Sequence, residues 1–107
     1  MKPTRYVFNH DRLCALVARA VKAAFTIALP ECRVERACAT VIHREEGDWI
    51  SVHLATNAVN NMTEDGIRAM CGVVGQVVFA MGHAADDLFS NCQVHEGGIN
   101  FFFPTTV

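Results

Sequence analysis

The spacing of hydrophobic residues in the first third of the chain predicts an amphipathic helix. Apolar residues recur at intervals of three and four, at Leu13, Leu16, Val17, Ala20, Ala24, Ile27 and Ala28. The polar residues Arg12, Arg19, Lys22 and Thr26 share the opposite side, and Pro30 prevents the helix from continuing. We therefore expect a helix over about residues 11–29, preceded by a short strand over about residues 4–8.

Two stretches of alternating residues, Val34 to Arg44 and Trp49 to Ala55, predict a β-hairpin. With the charged residues 44–48 as its loop, three cross-strand pairs fall on one face: His43 with Trp49, Val41 with Ser51 and Ala39 with His53. The opposite face then carries Cys38, Thr40 and Ile42 together with Ile50, Val52 and Leu54. We expect this second face to be the core face because it is the more apolar of the two.

A second helix is predicted to begin after Thr63, which is suited to cap it, with Glu64 and Asp65 in the first turn. Its expected core stripe is Ile67, Met70, Cys71, Val74, Val77, Val78 and Met81, and its expected end is Gly82. Gly72 and Gly75 lie inside this helix, where each glycine costs about 0.5–1 kcal/mol relative to alanine. We expect another part of the protein to pack unusually close against them.

The C-terminal residues predict a second hairpin with Gly97 and Gly98 as a two-residue turn. Pairing Glu96 with Ile99 places Val94 opposite Phe101 and Cys92 opposite Phe103. The second face of this hairpin then carries Gln93, His95, Asn100 and Phe102.

These elements together predict a single α+β domain over residues 1–107. The expected architecture is a two-layer, ferredoxin-like βαββαβ plan, an antiparallel sheet with two helices on one face and an extra C-terminal hairpin. The other face of the sheet is left open, and the expected registers fill it with aromatic, imidazole and small side chains that carry hardly any charge. Uncharged surfaces of this kind usually mark contact sites.

Composition narrows the choice of partners and compartment. The chain has 107 residues, a net charge of −2 and 51% hydrophobic residues. This charge excludes the broad basic field of non-specific nucleic-acid binders. Five cysteines, odd in number and mostly in apolar stretches, are typical of reduced cytoplasmic thiols, and Cys38, Cys71 and Cys92 are assigned to the core. No signal peptide or membrane helix is expected.

The sequence contains no recognisable catalytic or metal-binding motif. It has no CxxC, HxH, HxxxH or HExxH spacing, so we expect no metal and no cofactor. His83 follows the helix-ending Gly82 and is interpreted as a capping residue. Of the cysteines, only Cys14 and Cys32 have the charged neighbours that a reactive thiol requires.

The open sheet face is therefore the candidate site, with the binding residues Trp49, Ser51, His53, His43, His95, Asn100 and Phe102. We expect a non-enzymatic protein-binding or inhibitor-like accessory domain, of the kind that a phage or mobile element encodes to block a larger, basic protein. In that case His53 and His95 are separate surface groups. The alternative is a dimeric small-ligand binder or enzyme, in which His53, His95, Trp49 and Ser51 line a pocket enclosed between two sheets.

Three further expectations concern partners. The hydrophobic fraction exceeds what one core beneath an open sheet can conceal, which predicts a homodimer through the sheet face or through the Gly72/Gly75 side of the second helix. No membrane association is expected. RNA binding is not expected either, because no basic-aromatic run is present and the acidic turn at Glu45, Glu46 and Asp48 would repel phosphate.

Overall fold

The computed structural model describes residues 10–84 and 87–105. Its helices are α1 (His10–Ala28), α2 (Glu64–Ala80) and the short α3 (Leu88–Asn91), with single 3-10 turns at Pro30–Cys32 and Asn57–Asn61. Its strands are β1 (Arg36–Arg44), β2 (Gly47–Ala55), β3 (Gln93–His95) and β4 (Gly98–Pro104). The strand expected over residues 4–8 lies outside the described residues.

The four strands form one antiparallel sheet in the order β1-β2-β4-β3. The α+β class and the antiparallel sheet are therefore confirmed, whereas the ferredoxin-like strand order is not. That plan places the first strand of the chain between the first hairpin and the last strand, but here β2 pairs directly with β4 over Trp49 to Ala55.

One face of the sheet carries the core, because alternate residues of β2 and β4 are buried completely. These are Ile50, Val52, Leu54, Ile99, Phe101 and Phe103. They form one cluster with Phe25 of α1, Met70 of α2 and Leu88 of α3. The helices thus pack on the same side of the sheet.

The expected register of the first hairpin was wrong by one residue. Ile42, rather than His43, lies opposite Trp49, and Arg44 pairs with Gly47 across a turn of only two residues. Gly47 has φ +133°, a conformation that side chains rarely adopt, so the strand can resume directly after the turn. Every side chain of β1 therefore lies on the face opposite to the expected one.

The inverted strand places Ala37, Ala39 and Val41 on the core side and Cys38, Thr40 and Ile42 on the open side. The expectation placed the larger apolar residue, Ile42, in the core. In the structure the two alanines pack against the core cluster. Small side chains in this edge strand leave room for α1, which packs on β1.

The observed register of the C-terminal hairpin differs by two residues from the expected one. His95 pairs with Gly98, and Val94 with Ile99, so the turn consists of Glu96 and Gly97. A shift of two residues preserves the alternation of faces, so Asn100 and Phe102 still lie on the open side. Cys92 is half-buried beyond the end of β3 instead of lying opposite Phe103.

Helix α1 buries a stripe that matches the expected one only in part, with Val17 in both. Its buried residues are Cys14, Val17, Ala18, Val21 and Phe25. Leu16 and Ile27, which were expected on the apolar side of the helix, are 44% and 83% exposed. Because α1 is rich in alanine, it carries two apolar stripes of helical period, and the position of the sheet decides which one is buried.

Helix α2 confirms the expected caps. The Thr63 hydroxyl accepts a hydrogen bond from the Gly66 backbone N–H at 3.3 Å. At the other end, the N–H groups of Gly82 and His83 donate to the carbonyls of Phe79 and Val78, which is the Schellman pattern. His83 thus caps the helix through its backbone N–H, whereas its ring is directed inward, where it is 4% exposed and packs on Phe103.

The expected close approach to the glycines of α2 is not found among the described residues. A Cβ added at Gly72 would meet nothing within 4 Å, and one added at Gly75 would make an ordinary contact of 3.6 Å with Leu88.

Candidate functional site

The open face is the side of the sheet turned away from α1, α2 and α3. Cross-strand pairing assigns it the following residues: Arg36, Cys38, Thr40, Ile42 and Arg44 of β1; Trp49, Ser51, His53 and Ala55 of β2; Gln93 and His95 of β3; and Gly98, Asn100, Phe102 and Pro104 of β4. No described helix covers this face.

Six of the seven expected site residues lie on the open face: Trp49, Ser51, His53, His95, Asn100 and Phe102. His43 does not, because the register of β1 places it opposite Asp48 on the other side of the sheet. There its Nδ1 lies 2.7 Å from the Asp48 carboxylate.

The same inversion changes the charge of the open face. The open face lacks the expected Ala37, Ala39 and Val41, and it carries Arg36 and Arg44 in addition. The expectation of a nearly uncharged face was therefore wrong. None of the residues that the strands place on this face is acidic, so its formal charge is positive although the whole chain is negative.

Two imidazoles are stacked on this face. The ring centroids of His53 and His95 lie 5.2 Å apart, and their planes are inclined by 3°. The rings lie over the backbone of Gly98, where an added Cβ would come within 2.8 Å of His53 Nε2 and 2.9 Å of His95 Cε1. The expectation that the two histidines are separate surface groups was wrong.

A hydrogen-bonded chain continues from this pair across β4 to β2. His95 Nε2 lies 2.9 Å from Asn100 Oδ1, and Asn100 Nδ2 donates to Ser51 Oγ at 3.0 Å. Because the amide oxygen can only accept, His95 carries a proton on Nε2 and donates it. Asn100 thus holds both the orientation and the tautomer of His95.

The hydrogen-bonded series of His95, Asn100 and Ser51 does not activate the serine as a nucleophile. Asn100 lies between the His95 ring and the Ser51 hydroxyl, so the imidazole makes no direct contact through which it could take the serine proton. Ser51 accepts a hydrogen bond from an amide, whereas an activated serine donates one to its base. The arrangement orders a surface and lacks the contact that general-base catalysis needs.

The surroundings of His53 disfavour its charged form. Burial lowers the pKa of His53, and the charges of His95 and then Arg36 lower it further. A lowered pKa keeps the His53 imidazole neutral at neutral pH. It therefore offers a flat, uncharged ring to a ligand.

Aromatic side chains lie near the other end of the face. The Arg44 guanidinium lies over the Trp49 ring, 4.4 Å from its centroid. Phe102 is half-buried opposite Ser51. One side of the indole ring is thus already occupied by a cation of the same chain.

The two expected thiol candidates are buried. Burial raises the pKa of Cys14, with a further contribution from the Asp11 carboxylate, and it raises that of Cys32 together with Glu31. Neither thiol has the exposed, electropositive setting of a nucleophile. In the part of the chain that the structure describes, no three His, Cys, Asp or Glu side chains are grouped to hold a metal ion.

Surface hollows lie between α1 and β1, between α2 and α3, beside the β3–β4 turn and near the end of α1. Trp49, Ser51 and His53 line none of these four. Within residues 10–84 and 87–105, no helix has the length and apolarity needed to cross a bilayer.

Comparison with protein-family models, curated proteins and solved structures gave no match for this chain. The geometry of the open face therefore carries the functional argument.

Proposed function

We propose that this protein is a non-enzymatic binding domain whose open face docks against another protein. One observation carries the proposal: Trp49, Ser51, His53, Asn100 and Phe102 lie side by side on a sheet face that no described helix covers. Aromatic side chains and ordered polar groups are typical of the centre of protein interfaces. Fixing the side chains beforehand lowers the entropy that binding would otherwise cost.

The charges of the face define the chemistry of the partner. Arg36 and Arg44 lie at opposite ends of β1, about 26 Å apart for eight residues of strand. A partner with an apolar centre and acidic residues at its rim complements this arrangement, which revises the expectation of a basic partner. A second copy of the same face supplies no acidic side chain to these arginines, so we favour a different protein over self-association.

Single-stranded nucleic acid is a poorer fit than protein. Base stacking needs free aromatic faces along a cationic track. Here the guanidinium of Arg44 covers one side of Trp49, and the turn beside it carries Glu45 and Glu46. The acidic turn would repel a phosphate backbone that follows β1.

Site-specific photo-crosslinking in the cells of origin tests the proposal. A benzophenone side chain at the exposed Thr40 of the open face should crosslink a protein, and one at the exposed Ala23 of α1 should not. The crosslinked protein is then purified, and its affinity for the unmodified chain is measured. Trp49→Glu should weaken binding by about 30-fold or more, which corresponds to ~2 kcal/mol.

Phe79→Glu is the matched control, because Phe79 is 77% exposed on α2, on the other side of the sheet. Equal binding by both variants would refute the proposal. So would crosslinking at Ala23 alone, crosslinks solely between copies of this chain, or tight binding of a single-stranded oligonucleotide that Trp49→Glu abolishes.

The second candidate function is a small-ligand site enclosed between two copies of the protein. The stacking of His53 and His95 favours it. That function requires a dimer through the open face. Light scattering decides this point, since a monomer near 11.8 kDa excludes the enclosed pocket. A dimer that Trp49→Glu dissociates would favour the second function over the first.

A further inference from the structure

The outer edge of β1 is a long, regular strand edge. β1 spans nine residues and pairs continuously with β2, from Arg36 opposite Ala55 to Arg44 opposite Gly47. No other described strand pairs with its outer side. In such a strand, alternate backbone N–H and C=O groups point away from the sheet, and this edge has neither the proline nor the bulge that commonly block pairing.

A groove of about 420 Å³ follows this edge beneath α1. Small side chains line it, with Ala15 and Ala18 on the helix and Ala37 and Ala39 on the strand. An added strand would lie about 4.8 Å from β1 and direct every second side chain towards α1. The alanines leave room there for the side chains of an incoming strand.

Charged groups mark the two ends of the groove. Arg19 and Lys22 line it at one end and Asp11 at the other, about 12 Å away along the helix. The Lys22 ammonium also donates to the Glu35 carbonyl at 3.2 Å, which holds it at the start of β1. A peptide with an acidic residue near Arg19 and Lys22 matches this polarity.

We propose that this groove binds an extended peptide bearing an acidic side chain, which adds to β1 as a further strand. Backbone hydrogen bonds to the strand edge supply the affinity in this mode of recognition, and the groove supplies the specificity. The site is separate from the open face, since it lies at the edge of the sheet on its helical side. A second copy of β1 is a poorer occupant, because antiparallel pairing centred on Thr40 would place Arg36 opposite Arg44.

The test begins with selection from a displayed library of random linear peptides on the purified full-length protein. Enriched peptides are synthesised with a fluorescent label, and their affinities are measured by anisotropy. We expect alternating β-branched residues and at least one acidic residue. N-methylation along the peptide should abolish binding at every second residue, because only alternate amides face β1.

Variants of the protein locate the bound peptide. Ala15→Trp should abolish binding by filling the groove, whereas Ala23→Trp, also at an exposed position of α1, should not. Arg19→Gln should weaken binding about fivefold at low salt. Gln76→Glu on α2 changes the net charge equally and should have no effect.

Three outcomes would overturn the proposal. They are a selection without enrichment, peptides that still bind the folded Ala15→Trp variant, and N-methylation effects without the alternation. A dimer that Ala15→Trp dissociates would assign the edge to a second copy instead. Trp49→Glu should leave peptide binding intact. A failure of the peptide-groove proposal can therefore be distinguished from a failure of the open-face proposal.

Discussion

Position 98 requires glycine because neighbouring groups leave no space for a side chain, and not because of its backbone conformation. Its φ lies outside the left-handed region, in contrast to Gly97 with φ +79° in the adjacent turn. The Gly98 Cα instead lies under the His53 and His95 rings, where a side chain would also meet the Leu54 carbonyl at 2.9 Å. The imidazole pair and this glycine therefore form one unit.

Gly98→Ala is expected to lower the free energy of unfolding by about 1–3 kcal/mol, because the backbone carbonyl cannot move aside as a flexible side chain can. Gly72→Ala is the control, since it lies in an exposed helix interior with open space around it. That change should raise the stability by about 0.5–1 kcal/mol. Urea denaturation of both variants measures the difference, and an unchanged Gly98→Ala midpoint would contradict the packing described here.

At the scale of the elements, the register of the β1–β2 hairpin decides the character of both faces. A shift of one residue moved Cys38 from the expected core to the open side, opposite His53, where it is exposed. The same shift moved Arg36 and Arg44 onto the open face. The chemistry of the candidate site thus depends on the length of one turn.

Thiol labelling of the native protein tests this register. Cys38 should react rapidly with a disulfide reagent, while Cys14, Cys32 and Cys71 should react slowly, because they are buried and burial raises the pKa of each thiol. Cys38→Ser should remove the fast phase. Slow labelling of Cys38 in the native protein would show that Cys38 lies on the core face, and that the register of β1 is the one first expected.

At the scale of the whole molecule, the buried His83 and the half-buried His53 couple folding to pH. Burial lowers the pKa of His83, and burial with neighbouring cations lowers that of His53. In the unfolded chain both groups return to a pKa of about 6.5. As the pH falls below that value, the unfolded state binds protons first, and the folded state loses relative stability.

The stability should accordingly be complete above pH ~6.5 and decline as the pH is lowered below that value. Urea midpoints measured at a series of pH values below ~6.5 follow the decline. His83→Leu and His53→Gln should each make it shallower, because each removes one group whose protonation differs between the two states. A decline that neither variant alters would assign the pH dependence to other groups.

The elements that depend on local patterns were predictable from the sequence. Helix α2 begins after Thr63 and ends before Gly82 as expected, because caps and turns are determined by neighbouring residues. The alternation along β2, β3 and β4 correctly assigned six of the seven candidate site residues to one face. Successive side chains of a strand point to opposite faces of the sheet. The sequence neighbours of the buried Ile50 and Phe101 must therefore lie on the open face.

Only the tertiary structure decided which strands are neighbours, which stripe of α1 is buried and where His43 and the arginines lie. Local periodicity cannot distinguish two apolar stripes on an alanine-rich helix, nor a turn of two residues from one of five. Those choices depend on how well the whole core packs, and one residue of register changes the face of every side chain in a strand. The stacking of His53 on His95 likewise arises from two separate hairpins that meet over Gly98.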